Sequence, residues 1–156
     1  MSVYSLPAPE MNLILAQSAK MVSNRSLMQL LQRDPSFLGT VNGNGRFLLI
    51  NRAFLLSRNI SWQAHRLGFL PGDVLGCRNA ESASKGCGTH KACSLCPLLQ
   101  GLKEASGGSK AVQGQVNLEL VKSMEDEALE AHQETLEFRL EPLEGAASDI
   151  FSLFFW

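Results

Sequence analysis

The chain has no long apolar run. Nowhere do about 18 apolar residues follow one another, so no membrane-spanning helix is expected. The opening residues, MSVYSLPAPEMNLILAQ, lack a basic stretch and a small-residue cleavage site close behind their apolar run, so no secretory leader is expected either. An excess of one charge is also missing. Charged residues make up 19% of the 156, the net charge is −1, and lysines and arginines are scattered rather than striped. That argues against a nucleic-acid binder, which needs a basic face. A cytoplasmic domain without membrane or nucleic-acid partners is the expectation. Catalytic signatures are equally scarce. No serine sits in a nucleophile elbow. Gly43-x-Gly45 falls in a turn signal rather than a phosphate loop. Glu134, Glu137 and Glu141 would not share one strand face, so they form no acid–base pair. A non-enzymatic protein is expected.

What is present suits one domain with a real core, since 45% of residues are apolar. Residues 1–9, broken by Pro7 and Pro9, are expected to form a flexible start. Residues 10–34 read as a helical segment, with apolar groups at mixed spacings of three and four and a break at Ser23 or Asn24. Asp34-Pro35 ends it, because the residue before a proline is pushed out of the helical region. Residues 37–50 read as a hairpin around Asn42-Gly43-Asn44-Gly45. Asn51 then caps a short helix. Pro71-Gly72-Asp73 is a turn signal, and 77–96 is a cysteine-rich insert without periodicity. A helix over 97–105 follows. Residues 111–123 and 133–142 alternate apolar and polar, as half-buried antiparallel strands do. Residues 149–156 make a last, more apolar strand. The main domain is expected over 35–156. Its fold class is α+β, a five-stranded antiparallel sheet with helices on one face and an N-terminal helical segment. Trp62, Phe47, Phe54 and Phe138 are assigned to the core. The run Glu125, Asp126, Glu127, Glu130 is read as a solvated hairpin or loop.

The chain has only four cysteines, and they fall within twenty residues: Cys77-x9-Cys87-x5-Cys93-x2-Cys96. In a reducing compartment such a cluster points to metal ligation or redox chemistry rather than to structural disulfides. Four thiolates suit zinc or an iron–sulfur cluster. Zinc sites usually use two short Cys-x-x-Cys-like knuckles, and only one is present. The run Cys87-x5-Cys93-x2-Cys96 lies one residue from the plant-type ferredoxin spacing. The spacing therefore favours iron–sulfur over zinc, with a metal-free thiol–disulfide switch as a third possibility. His90, inside the insert, could replace one cysteine but is read as an ordinary loop histidine. His65 and His132 are read as surface or rim residues.

These residues fall in a familiar order. Asn51-Arg52-Ala53-Phe54 follows the hairpin at once. Then come Pro71-Gly72-Asp73-Val74-Leu75-Gly76-Cys77, Gly86-Cys87-Gly88-Thr89 and Cys93-Ser94-Leu95-Cys96. Over residues 10–156 the chain resembles PAS domains, in particular a four-cysteine subgroup found in bacterial sensor histidine kinases. The resemblance implies a sensory or regulatory role in signal transduction. It also implies a homodimer, or a histidine kinase or other signalling protein, as partner. The family's exit helix and kinase module are not among these residues, so output is expected through another chain or another part of a longer one.

Overall fold

The last strand of the chain lies in the middle of the sheet. A computed structural model describes residues 6–58, 67–83, 85–108, 110–123, 129–143 and 149–156. Five antiparallel strands, β1 (Phe37–Asn42), β2 (Phe47–Ile50), β3 (Val112–Ser123), β4 (Leu129–Pro142) and β5 (Ile150–Phe155), are ordered β2-β1-β5-β4-β3. The expected α+β class and five-stranded antiparallel sheet are present. No described helix is long and apolar enough to cross a membrane.

The hairpin closes through Asn42, whose side-chain oxygen accepts from the N–H groups of Asn44 (3.0 Å) and Arg46 (3.1 Å). Asn51 caps α3 (Arg52–Ser57) by accepting from Ala53 N–H, and its amide donates to Phe37 O at 2.8 Å. One side chain thus starts the helix and ties it to the strand beneath. β3 and β4 pair over twelve residues, from Val112↔Leu140 to Ser123↔Leu129. Val116, Leu118, Leu120, Leu136, Phe138 and Leu140 are buried on one face, while Gln113, Gln115, Thr135 and Glu137 are exposed on the other.

Helices cover both faces of the sheet, not one. β1 and β5 are buried at every residue. Strands that are apolar on both sides need cover on both sides. On one face α3, α4 (Pro71–Leu75) and α6 (Pro97–Gly108) close the main core. On the other, α1 (Ala8–Val22) and α2 (Arg25–Arg33) bring Ile14, Met21 and Leu27 against Phe37, Leu48, Ile150 and Phe154. The break between them falls where expected, with Asn24 accepting from Leu27 N–H at 3.2 Å. α1 starts earlier than expected. Pro7 is its cap and Pro9 lies in its first turn, where a missing N–H costs nothing. Of the start expected to be flexible, residues 1–5 lie outside the described residues.

Two further expectations need correction. Pro71-Gly72-Asp73 opens α4 rather than making a turn, and Gly76 ends that helix with φ 81°. The cysteine insert contains α5 (Arg78–Ser82) and a 3-10 helix, Lys91–Leu95. Each is about one turn long, too short for any periodicity to show.

α6 packs on the sheet through two glycines. An added Cβ at Gly101 would lie 2.9 Å from the Phe138 ring, and one at Gly114 on β3 2.8 Å from it. Phe47, Phe54 and Phe138 are core residues as expected; Trp62 lies outside the described residues. Among the described residues, one buried side-chain polar group is unsatisfied. The Thr40 hydroxyl, in the centre of the sheet, has no hydrogen-bond partner. Thr40→Val keeps the shape and removes the stranded polar atom. It is expected to raise the unfolding free energy by about 1 kcal/mol in urea denaturation. A loss of stability would show that the hydroxyl is satisfied after all.

Candidate metal centre

The cysteine segment is pinned to the edge strand β3. Gly76 O accepts from Val121 N–H at 2.8 Å, and Cys77 forms an isolated antiparallel bridge with Leu120. Cys77 itself precedes α5, so the N–H groups of Ala80 and Asn79 at the start of that helix act on its sulfur. Burial pushes the Cys77 thiol up from its ordinary value, and those two N–H groups partly offset the rise.

Cys87 is held by α4. Its N–H donates to Asp73 Oδ1 at 2.9 Å. The turn before it needs Gly86, which has φ 83° and where a Cβ would lie 2.7 Å from that carboxylate. Its sulfur packs against Gly72, where a Cβ would sit 2.8 Å from Cys87 Sγ and 3.3 Å from Cys77 Cβ. Gly72 therefore lets two cysteines share one helix start. Burial pushes the Cys87 thiol up to about 12, the Gly72 N–H pulls it down, and the Asp73 charge adds to the rise. Such a thiol keeps its proton at neutral pH unless a cation displaces it.

Cys93 lies in the 3-10 helix and Cys96 directly precedes α6. Cys93 N–H donates to His90 O (2.9 Å), Cys96 N–H to Cys93 O (3.1 Å), and Gln100 N–H to Cys96 O (3.1 Å). This chain of turns runs into α6. The expected Cys-x-x-Cys at a helix start is thus present, with a 3-10 turn between the two cysteines.

All four cysteines line one cavity of about 160 Å³. Gly72, Leu98, Val116 and Leu118 complete its inner wall, and Leu95 stands at its exposed side. Cys77 and Cys87 are buried, Cys93 and Cys96 half-buried, and all four are free thiols. Among the described residues no three His, Cys, Asp or Glu side chains are placed to hold a single ion.

The histidines take other places. His90 is absent from the cavity lining, and its Nδ1 accepts from Ala92 N–H at 3.1 Å to cap the 3-10 helix. His65 lies outside the described residues, as do Glu125, Asp126 and Glu127. His132 is half-buried and pairs with Glu134 at 2.8 Å. Both lie in the row of β4 that carries Leu136 and Phe138, opposite Leu120 and Leu118. Sequence reasoning missed this pair, although an i, i+2 spacing on a strand puts two side chains on one face. It also missed Asp73 and Gly72, whose signal was the Pro-Gly-Asp step read as a turn.

No protein-family model matches the chain, and no curated protein matches it.

Proposed function

We propose that this chain is a PAS-like sensory or regulatory domain of bacterial signal transduction, whose four cysteines hold an iron–sulfur cluster that reports redox state, oxygen or metal supply. The observation that carries this reading is the single cavity lined by Cys77, Cys87, Cys93 and Cys96. The ligand spacing favours a cluster over zinc: Cys87-x5-Cys93-x2-Cys96 lies one residue from the plant-type ferredoxin pattern, and only one short knuckle of the zinc type is present. The strand order β2-β1-β5-β4-β3, with helices over the inner face, supports the PAS-like part.

The cluster, when bound, would supply a centre that gains or loses an electron. The chain's own residues do the rest. Gly72 N–H and the first N–H groups of α5 face the sulfurs and favour their charged form. Asp73 fixes the backbone of Cys87, and the Gly76–Val121 bond anchors the segment on β3. Cys96 joins directly to α6, whose Gly101 rests on Phe138. A change at the sulfurs thus has a short covalent path to a helix of the main core. Signalling then requires two packings of that helix with different affinity for a partner, either a second copy or a kinase.

Anaerobic purification followed by an absorption spectrum and metal analysis tests this. Brown protein with stoichiometric iron and sulfide is expected. Colourless protein with one zinc per chain would sink the cluster and leave a structural zinc staple in an interaction module. Metal-free protein whose thiols pair on oxidation would leave a disulfide switch.

A further inference from the structure

A second cavity, of about 130 Å³, adjoins the cysteine cavity, and Cys87 is the one described residue that lines both. It forms where the hairpin meets the segment before α4. Gly68 N–H donates to Phe47 O at 2.8 Å, and Phe47 N–H donates to Phe69 O at 3.0 Å. Leu6, Phe69 and Leu70 give this cavity an apolar wall, and Arg46, Asp73 and Lys85 bring charges of both signs to it. Arg46 is neutralised and held in place. Its side chain is 16% exposed, its Nε donates to Glu10 Oε1 at 2.8 Å and its Nη1 to Gly68 O at 2.9 Å. Its Nη2 has no hydrogen-bond partner among the described residues. Lys85 and Asp73 carry opposite charges on one small cavity, yet they form no ion pair with each other. Lys85 has no ion-pair partner among the described residues, and Asp73 Oδ1 accepts from Cys87 N–H.

We infer that this cavity is a binding site for a small apolar α-amino acid. Two opposite charges that line one cavity without bridging fit a ligand that carries both. The Asp73 carboxylate takes the ammonium group, and Lys85 with the fixed Arg46 guanidinium takes the carboxylate. The ligand's side chain lies against Leu6, Phe69 and Leu70. With Arg46 set against Glu10, the lining still holds one cation and one anion. A zwitterion complements both, whereas a simple anion would meet Asp73 and a simple cation would meet Lys85. Size agrees with this class. An apolar cavity of about 150 Å³ holds a benzene molecule, so one of about 130 Å³ suits a side chain like that of valine rather than tryptophan. The site goes beyond the sensory reading and needs no metal at the cysteines. It adjoins them all the same, because Asp73 also holds the backbone of Cys87.

Calorimetric titration of the purified chain with L-valine tests this, and saturable binding is expected. Isovalerate lacks the ammonium group and isobutylamine lacks the carboxylate; each is expected to bind about tenfold more weakly or worse. L-Tryptophan is expected to bind no better than these, for want of room. Lys85→Glu is expected to weaken valine binding by about tenfold or more. Its side chain is exposed, so the change does not threaten the core. Lys91→Glu is the control, since Lys91 is exposed and lines neither cavity; it is expected to leave binding unchanged. Failure of valine to bind, isovalerate or isobutylamine binding as well as valine, or equal loss in the two variants overturns the site. Metal analysis of the same sample judges the cysteine centre separately, so failure of one reading is distinguishable from failure of the other.

Discussion

Cys93→Ser with Cys96→Ser is expected to remove the proposed metal centre completely while leaving the metal-free fold as stable as before. Both residues are half-buried and line the cavity; Cys96 packs on the edge of the main core, and serine nearly matches cysteine in size at either position. Their loss therefore costs little packing. A fall of iron to about the background level, with an unchanged urea midpoint for chelator-treated protein, reads directly as loss of ligands. The same test at Cys77 or Cys87 is less clean. These two belong to the main core at 9% and 8% exposure. A hydroxyl placed there loses stability by about 1–3 kcal/mol through an unsatisfied polar group, whatever the metal does. Unchanged metal content in the double variant would end the metal hypothesis as a whole.

Gly72→Ala is expected to have the second large effect. The new methyl would press on Cys87 Sγ, Cys87 Cβ and Cys77 Cβ at once, at 2.8, 3.2 and 3.3 Å. Neither cysteine is free to retreat, since Cys87 is tied through its N–H to Asp73 and Cys77 is bridged to Leu120. Overpacking of this kind costs about 1–3 kcal/mol. It also spreads two ligands, so bound metal is expected to fall at least in proportion. Gly101→Ala is the control. Its methyl would crowd the Phe138 ring at 2.9 Å, away from the cysteines. Both variants should lose thermal stability, but only Gly72→Ala should lose metal. Equal metal loss in the two would trace the effect to general destabilisation and remove the special role of Gly72.

Much of the sheet was legible because its signals are local. Asn42 to Gly45 announce the hairpin through side-chain caps that reach only two to four residues. The alternation over Val112–Leu120 and Leu136–Leu140 survives because that half of the sheet has one wet face. The side on which the N-terminal helices lie was less legible. Its clue was the apolar run IFSLFF, which marks a strand buried on both faces, yet such a run does not say what covers it. α4 was hidden for another reason. Five residues beginning Pro-Gly carry no helical period, and Gly72 is there for the sulfurs rather than for a turn. The cysteines were visible as a set from spacing alone. Their division into two buried and two half-buried thiols was not, because it depends on β3, more than fifteen residues further along. Asp73 and the His132–Glu134 pair owe their positions to the same long-range packing.

The place of β5 has a consequence for how the molecule is assembled. It pairs with β1 on one side (Phe37↔Phe154) and with β4 on the other (Leu140↔Leu153), so the two halves of the sheet meet only through it. During synthesis the hairpin and the cysteine segment emerge well before residues 150–155 leave the ribosome. Until then the sheet exists as two unjoined hairpins with unpaired inner edges, a slow, long-range closure of the kind that high contact order imposes. The four cysteines are likewise made before β3, the strand that walls their cavity, so their enclosure also waits on residues that come later in the chain.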